Sequence, residues 1–118
     1  MRNLLSCVCA VVFASAIAVP AFSSDVTVTG EVVDLACAMT KSDAGRGDAH
    51  AACALSCARR GEPLGVLTAD AVYEVTGDFA ADHNAKLLDF VAKVVIVAGE
   101  VTETGDKKQL NVKTIRVR

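Results

Sequence analysis

A chain of 118 residues, with twelve Lys and Arg against fourteen Asp and Glu, has material for one domain with a modest core and none for a second. Its formal net charge of −2 disfavours polyanionic partners. Four Phe, one Tyr and no Trp leave little with which to build the stacking platforms that hold single-stranded nucleic acid.

The first residues have the plan of a secretory signal peptide. Arg2 supplies a charged start, Leu4 to Val19 form an apolar run, and Pro20 breaks it. Small residues around Ala18, Ala21 and Ser23 offer cleavage after Ala21 or after Ser23, ahead of Asp25. A retained anchor needs about 20 apolar residues, more than this run provides. Residues 1–23 are therefore expected to be removed, leaving residues 24–118 as a single periplasmic or secreted domain with no membrane span. The leader takes Cys7 and Cys9 with it and leaves Cys37, Cys53 and Cys57. An odd number of cysteines in an oxidising compartment means that one bridge leaves a thiol over, or that the thiols hold something besides each other.

In chain order, Val26, Val28, Val32 and Leu35 predict a long first strand, bent or bulged at Gly30, with Cys37 at its far end. Thr40 to Gly47 has loop chemistry. Asp48 is the expected cap of an alanine-rich helix, Ala49 to Arg60, which Gly61 and Pro63 end. Leu64 to Leu67 and Ala71 to Val75 read as a hairpin across Thr68, Ala69 and Asp70. A second helix is expected from His83 to Lys93, with Leu87, Leu88 and Val91 on its apolar side and Asp82 or Asn84 as its cap. Val94 to Thr104 and Gln109 to Val117 are long strands about a turn at Gly105 to Lys108, the last with a slip in alternation between Val112 and Ile115 that requires a bulge. The echo of Val28-Thr29-Gly30-Glu31-Val32 in Val97-Ala98-Gly99-Glu100-Val101 reads as two strands with the same need to bend.

This order predicts a mostly β fold with two short helices (β+α): a five-stranded Greek-key barrel of the OB type, with a helix inserted after the first strand and another between the third and fourth. Over nearly the whole exported part, the topology and glycine placement resemble small OB-fold proteins. The run Gly30-Glu31-Val32-Val33-Asp34, Cys37, His50-x-x-Cys53-x-x-x-Cys57 and Gly61-x-Pro63-x-Gly65 resembles small exported bacterial proteins with the same Cys/His spacing, to which no activity is assigned.

At about 100° per residue, His50, Cys53 and Cys57 share one helix face, and Cys37 can swing beside it. Three thiolates and an imidazole make a tetrahedral metal set, soft sulfur suiting copper(I) first and the Cys/His mixture suiting zinc second. Met39 is an outside candidate. Cys-x-x-x-Cys with a nearby His also resembles the copper motif of Sco-type copper-delivery proteins; those are thioredoxin-like, an element order this chain lacks, so only the ligand idea carries over. The competing expectation is a disulfide from Cys37 to Cys53 or Cys57, worth about 2–4 kcal/mol in a small exported domain, which leaves a metal-free binding module for a protein or small molecule on the barrel face. A Cys53–Cys57 bridge is less favourable, since i and i+4 Cα atoms in a helix stand about 6 Å apart.

Other chemistries find no residues to carry them. Asp34, Asp70, Asp78, Asp82 and Asp89 are scattered over turns and helix starts, where carboxylates cap and solubilise. No Ser/His/Asp order, phosphate loop or Cys-x-x-Cys-His haem motif occurs. His83 has no register with a cysteine and is expected at the surface.

Overall fold

The computed structural model describes residues 22–41 and 45–118. The expected leader and its cleavage points up to Ala21 lie outside the described residues, as do residues 42–44 of the expected loop. Five strands, β1 (Phe22–Asp34), β2 (Leu64–Leu67), β3 (Val72–Thr76), β4 (Val94–Thr104) and β5 (Lys107–Val117), close into a barrel in the order β1-β2-β3-β5-β4. All neighbours are antiparallel except β3 and β5. This is the OB-type arrangement that the element order predicts.

β1 serves two partners. Phe22 to Glu31 pair with β4, and Glu31 to Asp34 pair with β2. The strand changes partner where the sequence places its bend: a Cβ on Gly30 would run into the backbone carbonyl of Leu67, so only glycine admits that approach. Along β4, Val95, Val97, Gly99 and Val101 are buried in alternation, the period of a strand with one face on a core. The expected slip in the last strand is a register shift in which Ala98 pairs with Thr114 and Gly99 with Val112. The core is assembled from Val32, Leu64, Val66, Val95, Val97 and Leu110 of the barrel, closed by Ala54, Ala58 and Leu87.

Between β1 and β2 the chain forms α1 (Leu35–Lys41), a 3-10 turn (Asp48–His50) and α2 (Ala51–Arg59). Cys37 therefore stands on a short helix and not at the end of a strand. The reason lies one residue before the helix, where an Asp34 carboxylate oxygen accepts the Ala36 backbone N–H at 3.1 Å and so caps α1. Asp48 does not have the capping role expected of it; it opens the 3-10 turn, and neither Gly47 nor His50 makes a side-chain cap bond. At the other end of α2, Gly61 N–H bonds Ala58 O at 2.9 Å and Glu62 N–H bonds Cys57 O at 3.2 Å, the paired bonds of a Schellman close.

The second expected helix is not continuous. Gly77–Ala80 is a 3-10 turn, α3 covers only Ala81–Asn84, and Ala85–Phe90 is again 3-10. Asp82, His83 and Asn84 have φ of 51°, 54° and 59°, outside the right-handed helix. Neither Asp82 nor Asn84 is an N-cap with a side-chain bond. Tertiary bonds override the helical pattern here. Buried Asn84 donates through Nδ2 to Ala58 O at 3.0 Å and Glu62 O at 2.8 Å, covering the end of α2. Downstream, Val32 and Val91 form a parallel bridge, with Ala92 N–H on Val32 O and Val32 N–H on Lys93 O, so the segment turns extended before Lys93.

Candidate metal centre

The helical insertion brings together chemistry that the sequence spreads over twenty-nine positions, Asp34 to Glu62. The chain leaving α1 returns against it, since a Cβ on Gly45 would meet the Cys37 carbonyl. That close approach seats the 3-10 turn and the first turn of α2 beside Cys37. Donor atoms of Cys37, His50 and Cys53 all lie within 4.8 Å of one another. The imidazole is only 7% exposed, Cys37 is half-buried and Cys53 is exposed. His50 Nε2 is buried with no hydrogen-bond partner. A buried polar nitrogen without a partner costs stability, and here it belongs to a ring that stands beside two sulfurs.

Cys57, the fourth residue that the sequence aligns with this set, has its sulfur in a neighbouring group with Asp34 and Glu62, whose donor atoms also lie within 4.8 Å of one another. Sharing a face is not sharing a depth: seven residues of helix rise about 10 Å along the axis, so the imidazole and Cys57 stand two turns apart. Cys57 is buried, and Arg60 Nη2 donates to its sulfur at 3.2 Å and to Glu62 at 3.3 Å. The thiol pKa is pushed up to about 12, first by its hydrogen bond to the Asp34 carboxylate, then by burial and by Glu62. Cys57 thus holds its proton more tightly than an ordinary thiol, and its sulfur lies in the group with Asp34 and Glu62 and not in the group of Cys37, His50 and Cys53.

Asp34 is fully buried. Burial alone would raise its pKa, but hydrogen bonds from the Cys37 and Cys57 thiols and from the backbone N–H groups of Ala36 and Cys37 outweigh this and hold it below 3.8. The residue is an anion in the protein interior, with Oδ1 on the Ala36 N–H and Oδ2 buried without a hydrogen-bond partner. Sequence reasoning placed it among scattered capping carboxylates and missed its second role. The available signal was an acidic residue directly after Val32-Val33 and three before a cysteine, at a strand end with no turn residue beside it.

None of Cys37, Cys53 and Cys57 is joined in a disulfide, so the staple expected as the alternative is not formed. Two of the sulfurs flank the imidazole and the third faces Asp34. Met39, the outside candidate, is 70% exposed and lines a shallow groove with Leu35, Val72 and Lys107. Two residues along a helix is a rotation of about 200°, which carries it to the side of α1 away from Cys37. His83 is exposed, as expected, with its ring against Gly61.

No family model, no curated protein and no solved structure matches the chain. The case for function therefore rests on this constellation alone.

Proposed function

We propose that this is an exported metal-binding or metal-handling protein that holds copper(I) between Cys37, Cys53 and His50, with zinc as the second candidate. The observation that carries the reading is His50 Nε2, buried and unpartnered on a ring set against two sulfurs. A bound metal supplies the missing partner to such a nitrogen and matches the chemistry of the donors around it. Two sulfurs and one imidazole are a soft set, which favours copper(I); zinc prefers four donors and would take its fourth from solvent, because the Cys57 sulfur lies apart from this set, with Asp34 and Glu62.

The chain's own residues divide the work. Cys37 and His50 approach from two elements, so binding would join α1 to the turn before α2. Asp34 and Cys57 orient the helices from behind without contributing donors. The reading is tested by titrating the reduced protein with copper(I) under anaerobic conditions. Binding of about one equivalent is expected, lost in Cys37→Ser and in Cys53→Ser and retained in Cys57→Ala. Unchanged affinity in Cys53→Ser would reject it.

A further inference from the structure

The three donors are buried unequally, and the inequality has a direction. His50 lies inside, Cys37 is half-covered, and Cys53 opens to solvent. The positions four before and three after Cys53, along the outer side of α2 and its preceding turn, are Ala49 and Ser56, each exposed. Residues three and four apart are neighbours on a helix surface, so nothing longer than a methyl or a hydroxymethyl group stands over the Cys53 sulfur from these positions. Cys37 and His50 are less exposed than Cys53.

We infer that Cys53 is the sulfur through which copper(I) passes to and from a thiol-bearing partner by direct ligand exchange, with Cys37 and His50 as the retaining donors. The inference rests on the metal reading above and adds to it the class of partner and the direction of approach. On loading, the Cys53 thiol gives its proton to solvent as its sulfur bonds to copper(I), while one copper–sulfur bond to the donor breaks and the departing thiolate takes up a proton. Copper remains in the +1 state throughout and no electron moves. A metal caged by three buried donors would have to dissociate before a partner could take it; an exposed sulfur lets the incoming thiolate bond before the outgoing one leaves.

The test is the rate at which glutathione, a small thiol, removes copper(I) from the loaded protein under anaerobic conditions. The expected result is a rate that rises in proportion to glutathione concentration. In Ser56→Phe the ring leans over the preceding turn, where Cys53 stands, and should slow removal roughly tenfold with copper stoichiometry and affinity unchanged. A rate independent of glutathione concentration in the unaltered protein, or equal rates in a folded Ser56→Phe, would overturn the inference while leaving the metal site intact. Failure of the protein to take up copper(I) in the initial titration would instead remove the metal reading itself, and the inference with it.

Discussion

Asp34 caps α1 through Oδ1, which accepts the Ala36 N–H at 3.1 Å, and a carboxylate oxygen of the same residue lies within 4.8 Å of the Cys57 sulfur of α2, so one buried anion stands between the helix that carries Cys37 and the helix that carries Cys53. The same junction is fixed from other sides by the approach of Gly45 to the Cys37 carbonyl and by the Gly47 N–H, which donates to a Glu31 carboxylate oxygen at 3.0 Å. A pair of donors on different elements is only as well placed as the contacts between those elements, and here a buried carboxylate is part of that contact.

Replacing Asp34 by Asn separates its two roles. Asn caps helices about as well as Asp, but it offers no charge to the thiols. Asp34→Asn is expected to leave α1 formed, to cost about 1–3 kcal/mol of stability in urea unfolding, and to bring Cys57 closer to ordinary thiol reactivity. A stability equal to that of the unaltered protein would show that the buried carboxylate does not organise the insertion.

Alkaline pH provides a second test. The Cys57 pKa stands at about 12 in the folded protein against 9.0 for an ordinary thiol, so between these values the folded state binds the proton that the unfolded chain releases. The stabilisation is complete below pH 9.0 and is lost as pH rises toward 12. The groups facing this thiol are Asp34, Glu62 and Arg60, and the guanidinium keeps its charge across that range. Unfolding measured from pH 8 to 11 should therefore show a steeper alkaline loss in the unaltered protein than in Cys57→Ala, other titrating groups being common to both.

The three thiols should react in the order of their exposure. Limited alkylation of the apoprotein, read by peptide mass spectrometry, is expected to label Cys53 first, Cys37 second and Cys57 last. Early labelling of Cys57 would contradict its place behind Asp34.

Asn84 holds the end of α2 through two buried bonds from Nδ2. Asn84→Ala removes both and also puts alanine at a φ of 59°, so a loss of roughly 2–4 kcal/mol is expected in chemical denaturation. Asn84→Gly relieves the backbone and keeps the loss of bonds, and should recover about 1 kcal/mol of it. Equal stability of the two variants would show that the backbone conformation at this position carries no strain.

The strands were legible because their signals are local. Alternating burial along Val95, Val97 and Val101, a turn at Gly105 and the bend at Gly30 each follow from a few neighbouring residues, and the barrel follows from their order. The second helix was misread for the opposite reason: Leu87, Leu88 and Val91 have helical spacing, but Asn84 bonds carbonyls more than twenty residues away and Val91 pairs with Val32. A periodic pattern contains no trace of such bonds.

The candidate site divides the same way. Sequence alone determined that His50 and Cys53 project together, because their spacing is fixed by the helical turn, and that Cys37 was available to join them. Only the tertiary structure decided which cysteine completes the set. Azimuth around a helix is periodic in sequence, whereas depth along it and contact across elements depend on how the insertion packs on the barrel. That packing sends Cys57 to the buried carboxylate of Asp34 and leaves Cys37 beside the imidazole.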